Sequence, residues 1–180
     1  EQTASPQRKQ TANELLAIAK ATEDNAKGYG DYTSALESSG TAQAAALQAE
    51  IALAKAKGDT VTVSAKTAEL AEREATTAAQ VAVAKQLEAI EIDKVITAQQ
   101  AYLASIGGGT QAQQQELQIL QLKSVAMQAE ATQSAKNAEL KGLEATRAEA
   151  LAGSLETLLR QYQDLATEHA RDADTSERYY

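Results

Sequence analysis

The sequence predicts an all-α fold, an elongated antiparallel bundle or coiled coil of about three long helices with the third running beyond the others. Three observations predict it. Two short glycine signals, Lys57-Gly58-Asp59-Thr60 and Gly107-Gly108-Gly109-Thr110, cut the chain into stretches of 47 residues each, 11–57, 60–106 and 110–156. Equal lengths joined by tight breaks are what up-down-up helices need, because each must cover the one before it. Proline occurs once, at Pro6, so nothing after it forbids helices of great length. Finally, 40 of the 180 residues are Ala, with no Phe, no Trp and one Met. Such a stock builds thin seams between close-packed helices more readily than a thick core, because Ala lets backbones approach and loses no side-chain entropy.

Residues 1–10 are polar, contain Pro6, and read as a frayed lead-in. Thr11 and Glu14 have capping-box spacing and suggest that the first helix starts there. Its apolar or small positions recur every third or fourth residue: Ala12, Leu15, Ala19, Thr22, Ala26, Tyr29, Thr33, Leu36, Gly40, Ala44, Leu47, Ile51 and Ala54. The phase survives Gly28, Gly30 and Gly40, although each glycine costs about 1 kcal/mol against Ala in a helix. Either one weakened helix runs from 11 to 57, or two meet at a bend near 28–30 or at 40.

Gly58 is placed to end that segment in a left-handed conformation, with Asp59 or Thr60 capping the next. The second segment carries its large residues mainly late, at Leu87, Ile90, Val95, Ile96, Tyr102, Leu103 and Ile106, while Ala71–Gln80 is poor in them. Gly107, Gly108 and Gly109 stop it, and Thr110 can cap the third. That third segment opens Gln-rich, with Leu117, Ile119, Leu120 and Leu122 spaced as on a helix. Further on, Ala148, Leu151, Leu155, Leu158, Tyr162, Leu165 and His169 step by 3 and 4 residues, a coiled-coil seam over three heptads. Residues 157–180 therefore continue the helix, projecting beyond the bundle or pairing with another chain. At about 1.5 Å per residue the first two helices would span about 70 Å and the third about 100 Å, a rod rather than a ball.

The chemistry-bearing residues are sparse. His169 is the single histidine, with Glu168 and Asp172 nearby, and reads as a tolerated polar seam residue rather than a metal ligand or a member of a triad. The triple glycine lacks the preceding strand and the following Lys-Ser/Thr of a phosphate loop. Glu69, Glu72 and Glu74, or Glu88, Glu91 and Asp93, lack the Glu-x-x-His pairs of di-metal bundles and read as solvated faces, with Lys66, Arg73, Lys85 and Lys94 as exposed partners. No catalytic residue, cofactor, metal or small-molecule ligand is expected.

A net charge of −8 disfavours a nucleic-acid partner, and dispersed acids with only Tyr as aromatic disfavour a membrane-inserting helix. Absence of cysteine excludes disulfides and thiolate metal sites. The chain begins at Glu1 and ends at Tyr179-Tyr180, and we read it as a segment of a longer protein.

The stretches AKAKGDTVTVSAKTAELAEREATTAAQ, IGGGTQAQQQELQILQLKS and LAGSLETLLRQYQDLATEHARDADTSERYY give a texture of Ala/Gln-rich, Pro-poor helices broken at Gly-Asp and Gly-Gly-Gly. That texture, spread over most of the chain, resembles the tape measure proteins of long-tailed bacteriophages and prophages. The resemblance implies a non-enzymatic structural role: a long helical protein housed in the tail tube that sets tail length, partnered by itself or by tail proteins. Its location would be the virion tail, assembled in the bacterial cytoplasm. The two turns depart from a simple ruler by folding the segment back. The other reading is an elongated coiled-coil module of a secreted or surface bacterial protein: an adhesin stalk, a helical toxin body or an export adaptor.

Overall fold

Helix α1 occupies Pro6–Ala56 and runs without a break for 51 residues. Helix α2 follows over Thr60–Ser105 and α3 over Gln111–Glu177, with 46 and 67 residues respectively. The computed structural model describes residues 6–177, with side chains over 10–171; Tyr179 and Tyr180, noted above, lie outside these. The described residues contain no strand, and the fold is three long helices as expected.

Two expectations at the start of α1 are corrected. Residues 6–10 are helical rather than frayed, and Thr11 lies within the helix rather than capping it. Proline explains the earlier start. In the first turn its missing N–H removes a donor that would have had no intrahelical acceptor, and its fixed φ already suits a helix.

Both turns are built by glycine. At the first, the Asp59 amide donates to the Ala54 carbonyl at 3.0 Å and the Gly58 amide to Lys55 at 3.1 Å. This pairing closes the helix end only if Gly58 takes a positive φ, here 72°. Asp59 then caps α2: its Oδ1 accepts from the Thr62 amide at 2.9 Å and its Oδ2 from the Thr62 hydroxyl at 2.6 Å. At the second turn the Gly108 amide donates to Leu103 at 2.8 Å, and Gly107, Gly108 and Gly109 all have positive φ. Thr110 and Gln113 then form a reciprocal capping box. The Thr110 amide donates to Gln113 Oε1 at 2.9 Å, and the Gln113 amide to Thr110 Oγ1 at 3.3 Å. The box expected at Thr11 is thus found at Thr110, with Gln in place of Glu.

The chain forms two compact units, Glu1–Gly40 with Thr76–Glu139, and Thr41–Ala75 with Leu140–Tyr180. In the first unit, Glu37 and Gly40 of α1 meet Lys85 and Thr77 of α2, while Gly30 meets Glu88, so the two helices run antiparallel. Asp93 meets Ser124 and Lys85 meets Glu130, so α2 and α3 are antiparallel as well. In the second unit Gln43 bonds Arg73, Glu50 pairs with Lys66, and Glu74 pairs with Lys141.

Burial follows the small-residue seams. Every α1 position from Ala12 to Ala54 that the 3,4 spacing selects is buried or half-buried. The steps run 3,4 throughout except at Leu36, Gly40 and Ala44, where two steps of 4 follow one another. Such an inserted step locally unwinds a coiled coil, and it falls at the boundary between the units. Helix α2 shows adjacent covered pairs at 81/82, 84/85, 88/89, 91/92, 95/96, 98/99 and 102/103. Two neighbouring seams are what a helix flanked on two sides requires. Alanine supplies much of the core, with Leu47, Ile51, Val81, Ile92, Val95 and Leu103 as the large buried side chains.

Candidate functional site

Helix α3 changes character along its length, and this change defines the surface that stands out chemically among the described residues. From Gln113 to Ala152 the positions Gln113, Leu117, Leu120, Ser124, Met127, Ala131, Ser134, Ala138, Lys141, Ala145, Ala148 and Ala152 are covered, in steps of 3 and 4, and Gly142 beside Lys141 is half-buried as well. From 153 to 171 every position is exposed. Yet this stretch holds five of the helix's large apolar side chains: Leu155, Leu158, Leu159, Tyr162 and Leu165.

The proposed seam lies here. Leu151 is 63% exposed, Leu158 50%, Tyr162 70% and Leu165 50%, while Leu155 is 37%. His169 is exposed too. The chain's own helices therefore do not cover the seam. Within the second unit, inward contact passes instead through Ala148, Ala152 and, more loosely, Leu155 and Leu159, one residue beside Leu151 and Leu158. Of the residues in the predicted seam, Ala148 is half-buried and Leu155 is the least exposed of the large side chains, while Leu151, Leu158, Tyr162 and Leu165 face outward. The structure turns the alanines inward because they admit the closest helix approach.

Loose packing beside that seam leaves a half-open apolar groove of about 400 Å3, lined by Gly58, Val63, Thr67, Ala148, Leu151 and Leu155. Lys55 and Asp59 stand at its edge. A second hollow of about 460 Å3 lies on the other side of Leu155, against Val61, Ala65, Ala152 and Leu159. The turn residue Gly58 and the cap Asp59 thus border the seam, whereas Gly107, Gly108 and Gly109 belong to the other unit.

Several of the acidic residues named from the sequence have ion-pair or hydrogen-bond partners. Glu69 takes Lys66 at 3.0 Å and Arg73 at 3.7 Å, and Glu91 takes Lys94 at 2.6 Å. The hydrogen bond from Lys66 holds the Glu69 carboxyl below its ordinary range, and the bond from the Thr62 side chain does the same for Asp59. Burial pushes Glu88 upward, with Lys123 opposing. Two groups that the sequence reading had assigned to solvated faces instead join helices. Asp93 accepts from Ser124 at 2.5 Å and from Gln128 at 2.9 Å, and Glu74 accepts from Lys141 at 2.8 Å. A serine at a heptad position of α3 and an Asp within an Ile/Val-rich stretch of α2 were the available signal.

Among the described residues no group of three or more His, Asp or Glu is placed to hold a metal ion. Nor, among them, is any helix long and apolar enough to cross a membrane. No family model, curated protein or solved structure matches the chain.

Proposed function

We propose that the chain is a non-enzymatic structural segment of a phage tail tape measure protein, working in the tail with further copies of itself or with tail proteins as partners. The observation that supports the reading most is the unbroken run of 51, 46 and 67 helical residues joined only by glycine turns. A helix has a fixed rise per residue, so such a chain converts residue number into length. Small seam residues serve the same end, since they keep paired helices slender.

The test is an in-frame deletion of residues 11–171 in the encoding gene, with electron microscopy of the released particles. Tails should shorten by about 240 Å if the segment acts as one extended helix, or by about a third of that if it acts folded back. Tails of unchanged length would sink the reading. Unchanged tails together with recovery of the protein at the cell surface would transfer the assignment to a surface coiled-coil module.

A further inference from the structure

We propose that residues 151–169 of α3 form a reciprocal antiparallel pair with the same stretch of a second copy, the apolar ridge of each lying in the groove beside the other's Leu151 and Leu155. This specifies the self-association proposed above and rests on it.

Two separate features of the second unit are complementary. One is a ridge, Leu158, Tyr162 and Leu165, which are 50%, 70% and 50% exposed. The other is the apolar groove along Val63, Thr67, Ala148, Leu151 and Leu155. Both occupy the same stripe of the same helix, about two turns apart. A two-fold axis near Arg160 brings them together twice. Leu155 then faces the second copy's Leu165, Leu158 its Tyr162, and Leu151 its His169. An isologous contact of this kind uses one patch on both chains and closes the assembly at two.

A parallel pair would waste these features. It would set groove against groove and place His169 and Tyr162 each opposite its own copy. The antiparallel pair also has the better flanks. Leu159, which a parallel pair would set against Ser154, lies beside the second copy's Leu159, with Ala152 beside Ala166. On the other flank Gln161 meets Gln161 and Ser154 meets Glu168, so no like charges oppose. Arg160 is held back on its own helix by Glu156 at 2.7 Å.

Charge favours the same occupant. Lys55 and Asp59 both line the groove and Lys57 precedes Gly58 at the same turn, which leaves one positive charge in excess there. The approaching end of the second copy carries Asp164 and Glu168. The histidine in this contact sits opposite a leucine, not a second histidine.

The chain contains no cysteine, which permits a direct test on the full protein. Leu155→Cys and Leu165→Cys variants, mixed and mildly oxidised, should yield chiefly the mixed disulfide. Leu158→Glu combined with Leu165→Glu should raise the dimer dissociation constant at least about a hundredfold, through loss of two leucines from each copy, four in the pair. Helix content should be unchanged, because both side chains are half exposed in the single chain. Sedimentation equilibrium measures the first effect and circular dichroism the second. Disulfides only between like variants would overturn the antiparallel arrangement and leave self-association standing. A monomer at all concentrations would overturn both. An equally tight dimer in the double variant would overturn the assignment of the surface.

Discussion

Gly40 of α1 lies so close to Thr77 of α2 that a Cβ on Gly40 would fall 2.5 Å from Thr77 Cγ2 and 3.0 Å from its Oγ1. No real side chain accepts that distance, so the helix spacing here depends on glycine. Gly28, in the same helix, has nothing within 4 Å of the corresponding point.

The two glycines should therefore respond oppositely to one substitution. Gly28→Ala should stabilise the fold by about 1 kcal/mol, the helix-propensity difference. Gly40→Ala gains the same propensity but forces α1 and α2 apart, at a cost of about 1–3 kcal/mol. Denaturant titration of the two variants separates these effects. Equal stabilisation by both would mean that the close approach does not exist.

Val95 tests whether the slender core contributes as packed cores do. Its side chain is 2% exposed. Val95→Ala should cost about 2 kcal/mol in urea unfolding, from two lost methylenes and the cavity left behind. A cost near zero would indicate that the seam collapses around the gap.

The Asp93 and Ser124 pair fixes α2 against α3 within the first unit. Ser124 is buried, 5% exposed, and its hydroxyl donates to the carboxylate at 2.5 Å. A double-mutant cycle of Asp93→Ala and Ser124→Ala should give a coupling of about 1 kcal/mol. Absence of coupling would reassign the bond to a surface contact of no consequence.

Glu88 and Asp59 predict opposite pH effects. Burial raises the Glu88 pKa, with Lys123 and Lys85 opposing and Glu130 reinforcing. Its neutral form contributes stability that is complete below the ordinary glutamate range and lost as pH rises through the raised value. Glu88→Gln should thus raise the melting temperature at neutral pH and leave it unchanged in acid. Asp59 is held low by its bonds from Thr62, so its contribution is present above the ordinary aspartate range and lost as pH falls through the lowered value. Asp59→Ala should lower the melting temperature at neutral pH, with the difference closing in acid. Parallel pH profiles for the two variants would contradict both assignments.

Local signals in the sequence settled much of this structure. Glycine at 58 and 107–109, with Asp59 and Thr110 behind, set the turns because left-handed backbone and capping oxygens are local requirements. The spacing of 3 and 4 from Ala12 to Ala54 identified the covered face of α1, since steps of 3 and 4 keep side chains on one side of a helix. Tertiary packing decided the rest. The glycines of α1 read as weak points, yet the helix continues through them, and at Gly40 α2 lies too close to admit a Cβ. In α3 the large side chains suggested Leu151 and Leu158 as the seam, but the alanine one residue along allowed the tighter approach and turned Leu151 outward. Asp93 found its partners Ser124 and Gln128 on α3, which no local signal in α2 specifies. Periodicity states which residues share a face; only the distance between helices determines which of them a neighbour covers.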